Sequence, residues 1–174
     1  MNTTNMVGQN RPFTLISTTV MTPLSIRPGE RGDQAAILAL AERLGAFGPT
    51  TRSAQEIAAR ERRALADALA RPSPGSALLV AHQRDRGLVG VLLLETRRDY
   101  FTDQAHGHVA ILAVAREAEG QGVGQALLDA ADEWGRRRGF RRLTLAVFAD
   151  NARAKGFYAR LGWRTELETL FKTL

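Results

Sequence analysis

V-A-I-L-A-V-A-R-E-A-E-G-Q-G-V-G-Q-A-L-L, residues 109–128, joins three kinds of local signal within twenty residues. Val109 to Val114 is a continuous apolar run of strand length, which reads as a buried strand. A short polar link leads to Gly120, Gly122 and Gly124, after which apolar residues recur at helical spacing. Strand, glycine turn and helix together make an anion-binding arrangement. Glycine lets the main chain approach a phosphate, and the first N–H groups of a helix have no partner of their own. The N–H groups running from Gly120 through Gln121, Gly122, Val123 and Gly124 to Gln125 are therefore a candidate phosphate cradle. G-x-G-x-G matches neither the dinucleotide fingerprint nor the P-loop, so the turn alone names no ligand.

Composition narrows the classes. A chain of 174 residues is long enough for one domain with a sizeable core. No apolar run reaches the roughly 18 residues of a membrane span, and residues 1–22 lack the order of a secretory signal. This reading places the protein in the cytoplasm, away from membranes. Cysteine is absent, which removes disulfides, thiolate metal sites and a cysteine nucleophile. Three histidines leave little from which to build a metal site, and none is expected. The net charge of +6 comes from an arginine-rich chain in which Lys155 and Lys172 are the only lysines. It suits an anionic ligand as well as a nucleic acid.

Outward from the central stretch, residues 1–22 read as a flexible tail and residues 23–174 as one domain. Leu24 to Arg27 is strand-like, and Asp33 precedes a helical pattern over Ala35–Leu44. Ser53 with Glu56 forms a capping box for a second helix reaching Leu69. Ala77–Gln83 and Leu88–Thr96 form a hairpin about Asp85-Arg86-Gly87, and Arg97–Gly107 reads as a polar loop. After the glycines, Val123, Leu127, Leu128, Ala131 and Trp134 share one helix face. Phe140–Phe148 alternates like a strand, Asn151 caps a last helix, and Trp163–Leu174 leaves room for one or two final strands. The expected fold is α/β (α+β), a mixed and mostly antiparallel sheet of six to seven strands flanked by helices on both faces.

That order and these motifs resemble the GCN5-related N-acetyltransferase family over roughly Val89–Trp163. Glu119 to Gly124 is similar to the family's acetyl-CoA motif, R/Q-x-x-G-x-G/A, with Glu119 standing where Arg or Gln is usual. Val147–Trp163 (V-F-A-D-N-A-R-A-K-G-F-Y-A-R-L-G-W) is similar to its N-x-x-A-x-x-F-Y-x-x-x-G-F/W block. The resemblance implies an acyl-CoA N-acyltransferase-like fold, acetyl-CoA as cosubstrate, a primary amine as acceptor, and direct transfer in a ternary complex. It also implies a homodimer. A non-catalytic acyl-CoA-binding module is the alternative, and an arginine-based nucleic-acid protein a weaker one.

The resemblance implies a site as well. Main-chain groups over Leu112, Ala113 and Val114 would pair with the pantetheine arm and meet the developing oxyanion. Tyr158 would protonate the leaving thiolate, since a phenol with a pKa near 10 carries its proton at neutral pH. Asn151 would contact the cofactor while capping its helix. For the base, family members with a glutamate on this strand place it where this chain has His108, with His106, Glu95 and Asp99 as rivals. Glu119 would have to turn from the phosphates toward an arginine such as Arg116, while Arg116, Arg153 and Lys155 offset phosphate charge. The loop Asp99–Asp103 offers two carboxylates and two aromatics to a cationic acceptor.

Overall fold

The computed structural model describes residues 23–48 and 51–173, so the expected tail over 1–22 lies outside it. Five strands form one sheet in the order β1-β2-β3-β4-β5: Leu24–Pro28, Ser76–Gln83, Gly87–Arg98, Ala105–Val114 and Leu143–Leu145. The first four pair antiparallel, and β5 joins β4 in parallel, which requires a crossover. Helix α3 (Val123–Arg137) supplies it. Helices α1 (Gln34–Ala41) and α2 (Ala54–Ala70) follow β1, and α4 (Ala152–Arg160) follows β5.

Local sequence explains the helices. Ser53 Oγ accepts the Glu56 N–H at 3.1 Å, and the Glu56 carboxylate accepts the Ser53 N–H at 2.9 Å, closing the expected box at the start of α2. Caps of this kind contribute about 1 kcal/mol. Val123, Leu127, Leu128, Ala131 and Trp134 are buried along one face of α3, as their spacing requires. Two glycines show which side of the sheet α3 covers. A Cβ on Gly90 would touch Val123 and Leu127 at 3.0 Å, and one on Gly107 would strike Trp134 at 2.8 Å. Gly29 on the opposite face lies against Ile37 of α1.

Three expectations change. The polar loop shrinks to residues 99–104, because β3 runs on to Arg98 and β4 begins at Ala105, bringing His106 into the ladder beside His108, the expected start of the strand. The strand expected over Phe140–Phe148 is confined to Leu143–Leu145, because β5 pairs only with Gly107–Val109 before the two chains part. The sheet therefore has five strands among the described residues, not six to seven. Residues 163–173 are without strand pairing, and Leu167, Leu170 and Phe171 lie exposed. This segment is tied back by Arg142, whose guanidinium bridges Asp99 and Glu166.

Candidate active site

Where β4 and β5 part, β4 has an open edge. The register runs Leu93↔Ile111 and then Leu94↔Val109, so Ala110 is an extra residue, a β-bulge that bends the strand. Beyond it, Ala115 N–H donates to Val89 O at 2.8 Å, which makes 89 and 115 a hydrogen-bonded pair. Antiparallel ladders alternate. Ala113 therefore turns its groups to Val91 of β3, while those of Leu112 and Val114 face the gap. Of the three residues expected to line the gap, Ala113 does not present its main chain there. The Val114 carbonyl is taken by Arg43 Nη1 at 2.9 Å.

The glycine turn stands at the end of this edge. Gly120 has φ +73° and Gly122, the N-cap of α3, φ +80°, with open space around each. The first helical bond runs from Ala126 N–H to Gly122 O, which leaves the N–H groups of Val123, Gly124 and Gln125 without helical partners. Gly124 has a packing role: a Cβ there would lie 3.2 Å from Phe157 of α4 and 3.8 Å from Val114. The Gln121 side chain turns away, donating to Glu117 O at 2.7 Å. Gly122→Ala keeps every side-chain contact but forces a left-handed alanine, so urea unfolding is expected to show a loss of about 1 kcal/mol. An unchanged midpoint would mean the turn relaxes freely.

Glu119 does not reach Arg116. One carboxylate oxygen accepts from Arg43 and the other from Arg153, and these arginines hold its pKa below the ordinary carboxylate value. Arg153 is thus already paired in the free protein, and Lys155 donates to Ala149 O at 3.4 Å.

His106 and His108 share the α1–α2 face of the sheet with Arg97 and Glu95, their partners across β3. Both rings are buried, at 8% and 7% exposure. His108 Nδ1 lies 2.8 Å from Thr144 Oγ1 and His106 Nε2 lies 3.1 Å from the same oxygen, so one hydroxyl orients both. Burial pushes the His108 pKa down to about 4. The Arg97 charge adds to this, Glu95 opposes it, and His106 lowers it slightly. The imidazole is neutral at pH 7 with Nδ1 occupied and Nε2 without a hydrogen-bond partner among the described residues.

The Tyr158 ring lies near those of Phe157 and Trp163, with centroids at 5.3 and 6.0 Å and the planes tilted by 52° and 60°. No hydrogen bond engages its hydroxyl among the described residues, and burial raises its pKa, so the phenol stays protonated. Asn151 caps α4 by accepting the Ala154 N–H at 3.0 Å. Asp99 is spoken for: it accepts from Thr102 and pairs with Arg142, and Asp103 pairs with Arg98. The Asp99 carboxylate is engaged on both oxygens, whereas the Asp103 pair lies on the surface. Glu95 pairs with Arg97 at 3.1 Å. Of the arginines behind the nucleic-acid reading, Arg136–Arg138 with Arg141 and Arg142, three pair with carboxylates (Arg136, Arg137 and Arg142) and Arg138 lies over Trp134, while Arg141 has no side-chain partner among the described residues.

Sequence reasoning missed Arg43 and Thr144. Both act across long separations, 76 residues to Glu119 and 36 to His108, and neither lies in a motif. Thr144 could have been found from alternation, since L-T-L pairs beside the two histidines. Among the described residues no cluster of metal-ligating side chains occurs, and no helix is long and apolar enough to cross a membrane.

The β4 edge, the left-handed glycine turn and a phenol without a hydrogen-bond partner among the described residues lie at one end of the sheet. The family model described as the acetyltransferase (GNAT) family matches residues 39–163, and the chain belongs to that family. Similar curated proteins include a mycothiol acetyltransferase of Beutenbergia cavernae, 32% identical over 155 residues, 78% of this chain and 50% of that protein. N-alpha-acetyltransferase 30 of Schizosaccharomyces pombe is 37% identical over 57 residues, 33% of this chain and 38% of that one. The chain thus spans half or less of the length of these curated relatives. Among solved structures, a putative acetyl transferase from Pyrococcus furiosus superposes with a TM-score of 0.70 at 23% identity. It covers 87% of this chain and all of that one. An aminoglycoside 6'-N-acetyltransferase from Acinetobacter haemolyticus has a TM-score of 0.65 at 16% identity, covering 86% and 97%. These structures share the fold.

Proposed function

We propose that this protein transfers the acetyl group of acetyl-CoA directly to a primary amine, both substrates being bound together. The observation that carries the reading is the bulged β4 edge. It turns the Leu112 main chain and the Val114 N–H to the gap between the glycine turn and the helix that bears Tyr158, while Arg43 holds the Val114 carbonyl. Three roles follow for the chain's own groups. The Leu112 N–H, fixed in the gap, donates to the thioester oxygen as it gains charge while the amine nitrogen bonds to the carbonyl carbon. His108 Nε2 takes the proton that the nitrogen sheds, directly or through water. As the carbon–sulfur bond breaks, Tyr158 gives its proton to the departing thiolate. The lowered pKa of His108 keeps it unprotonated at neutral pH at the cost of proton affinity, so the proton leaves the nitrogen only as the nitrogen bonds to carbon.

The acceptor is a primary amine on a small molecule or a polypeptide. Titration of the full chain with acetyl-CoA, followed by an amine panel read by thiol release, tests the proposal. One-to-one binding at micromolar concentration with amine-dependent thiol release is expected. Binding without release for any amine would favour an acyl-CoA-binding module. No binding at millimolar acetyl-CoA would overturn the reading altogether.

A further inference from the structure

Glu119 sits where a positive or neutral side chain is expected beside a phosphate cradle, one residue before Gly120. A carboxylate there repels a diphosphate, yet it is not idle. It lies between Arg43, which reaches in after α1, and Arg153 from the first turn of α4. The two arginines are held unequally. Arg43 has a side chain 26% exposed and a second bond, to the Val114 carbonyl on the gap edge. Arg153 is 67% exposed and, among the described residues, bonds Glu119 alone. Replacing the carboxylate by a stronger anion in the adjacent turn would cost Arg153 one bond and return a better one, because a planar guanidinium matches phosphate oxygens as a fork. Arg43 has reason to stay.

We infer that Glu119 is a built-in stand-in for the cofactor's diphosphate. Its carboxylate parks Arg153 at the mouth of the Gly120–Gly124 turn in the free protein, and the diphosphate takes Arg153 over on binding. Glu119 keeps Arg43, which goes on holding the Val114 carbonyl in place. The charge missing from the motif position is thus supplied by α4, and the cluster is never left with two unpaired guanidiniums. The inference rests on the proposed acetyl-CoA site and adds its diphosphate ligand.

Calorimetric titrations of the full chain with CoA, dephospho-CoA and pantetheine, at low and high salt, test it on the wild type, Glu119→Gln, Arg153→Gln and the double variant. Glutamine keeps hydrogen bonding at either position, and melting curves monitor folding. Glu119→Gln is expected to bind CoA about fivefold tighter at low salt, and Arg153→Gln about tenfold weaker with a shallower salt dependence. The gain from Glu119→Gln shrinks when Arg153 is already absent, since only repulsion is then relieved. Dephospho-CoA follows CoA, and pantetheine is indifferent to every substitution. A loss seen with CoA but not with dephospho-CoA would assign Arg153 to the 3'-phosphate and overturn the inference. CoA binding that ignores both substitutions would overturn it too, with the acetyl-CoA site intact. No CoA binding by any of the four proteins would overturn the site and the inference together, whereas binding only by Glu119→Gln would support the parked arginine and count against a working wild-type enzyme.

Discussion

Tyr158→Phe is expected to lower kcat about 10²-fold, corresponding to about 2.7 kcal/mol of barrier, while acetyl-CoA affinity and thermal stability hold. The second half of that statement follows from the ring's surroundings. Phe157 and Trp163 lie beside the ring at a tilt, and among the described residues the hydroxyl has no partner whose loss would leave a buried polar group unpaired. Phenylalanine therefore fits the same space. What disappears is one proton donor. A thiolate leaving without protonation is a poorer leaving group, so the loss falls on the chemical step rather than on binding. An acyl donor with a more acidic thiol should narrow the deficit, because its thiolate needs less help. Equal kcat for Tyr158→Phe and wild type would make Tyr158 a packing residue and send the search for the acid elsewhere.

The features legible in the sequence are those written over short distances. Ser53 and Glu56 mark the start of α2 because a capping box is four residues long, and Gly120 and Gly122 mark the turn because only a left-handed backbone needs them. The bulge at Ala110 left no trace. V-A-I-L-A-V is apolar throughout, since β4 is covered on both faces over much of its length, so there is no alternation for an extra residue to interrupt. Yet the bulge is what separates Leu112 and Val114 from Ala113 as the residues facing the gap. Strand count failed for a related reason. Phe140–Phe148 alternates well enough, but a strand needs a neighbour, and β4 bends away after Val109. The Arg43–Glu119–Arg153 cluster joins three separate parts of the chain, and only folding brings them together. The departure at Glu119 was visible; its resolution by two arginines was not.

Acid should weaken the fold through His108 in a pH range above that of the carboxylates. Burial and Arg97 bring the folded-state pKa to about 4, against 6.5 when the chain is unfolded. Above pH 6.5 the ring is neutral in both states and contributes no pH dependence. As the pH falls from 6.5 toward 4, the unfolded chain binds a proton that the folded protein refuses, and stability drops by up to ~3 kcal/mol before levelling below pH 4. Glu95 lies opposite and works against the shift, while Arg97 and His106 support it, so the sign is set by desolvation together with two positive or protonatable neighbours. Asp33, held near 2 by Arg27, loses its contribution only further down, between its usual value and about 2. The two effects separate on the pH axis. Urea unfolding of wild type and His108→Asn between pH 7 and 4 reads the difference, asparagine being chosen because its amide can still meet Thr144 where Nδ1 does. The wild type should lose up to ~3 kcal/mol more than the variant over that interval, about a hundredfold in the folding equilibrium. Parallel curves would show His108 titrating normally in the folded protein. It would then be a solvated group, and burial would not set its protonation state.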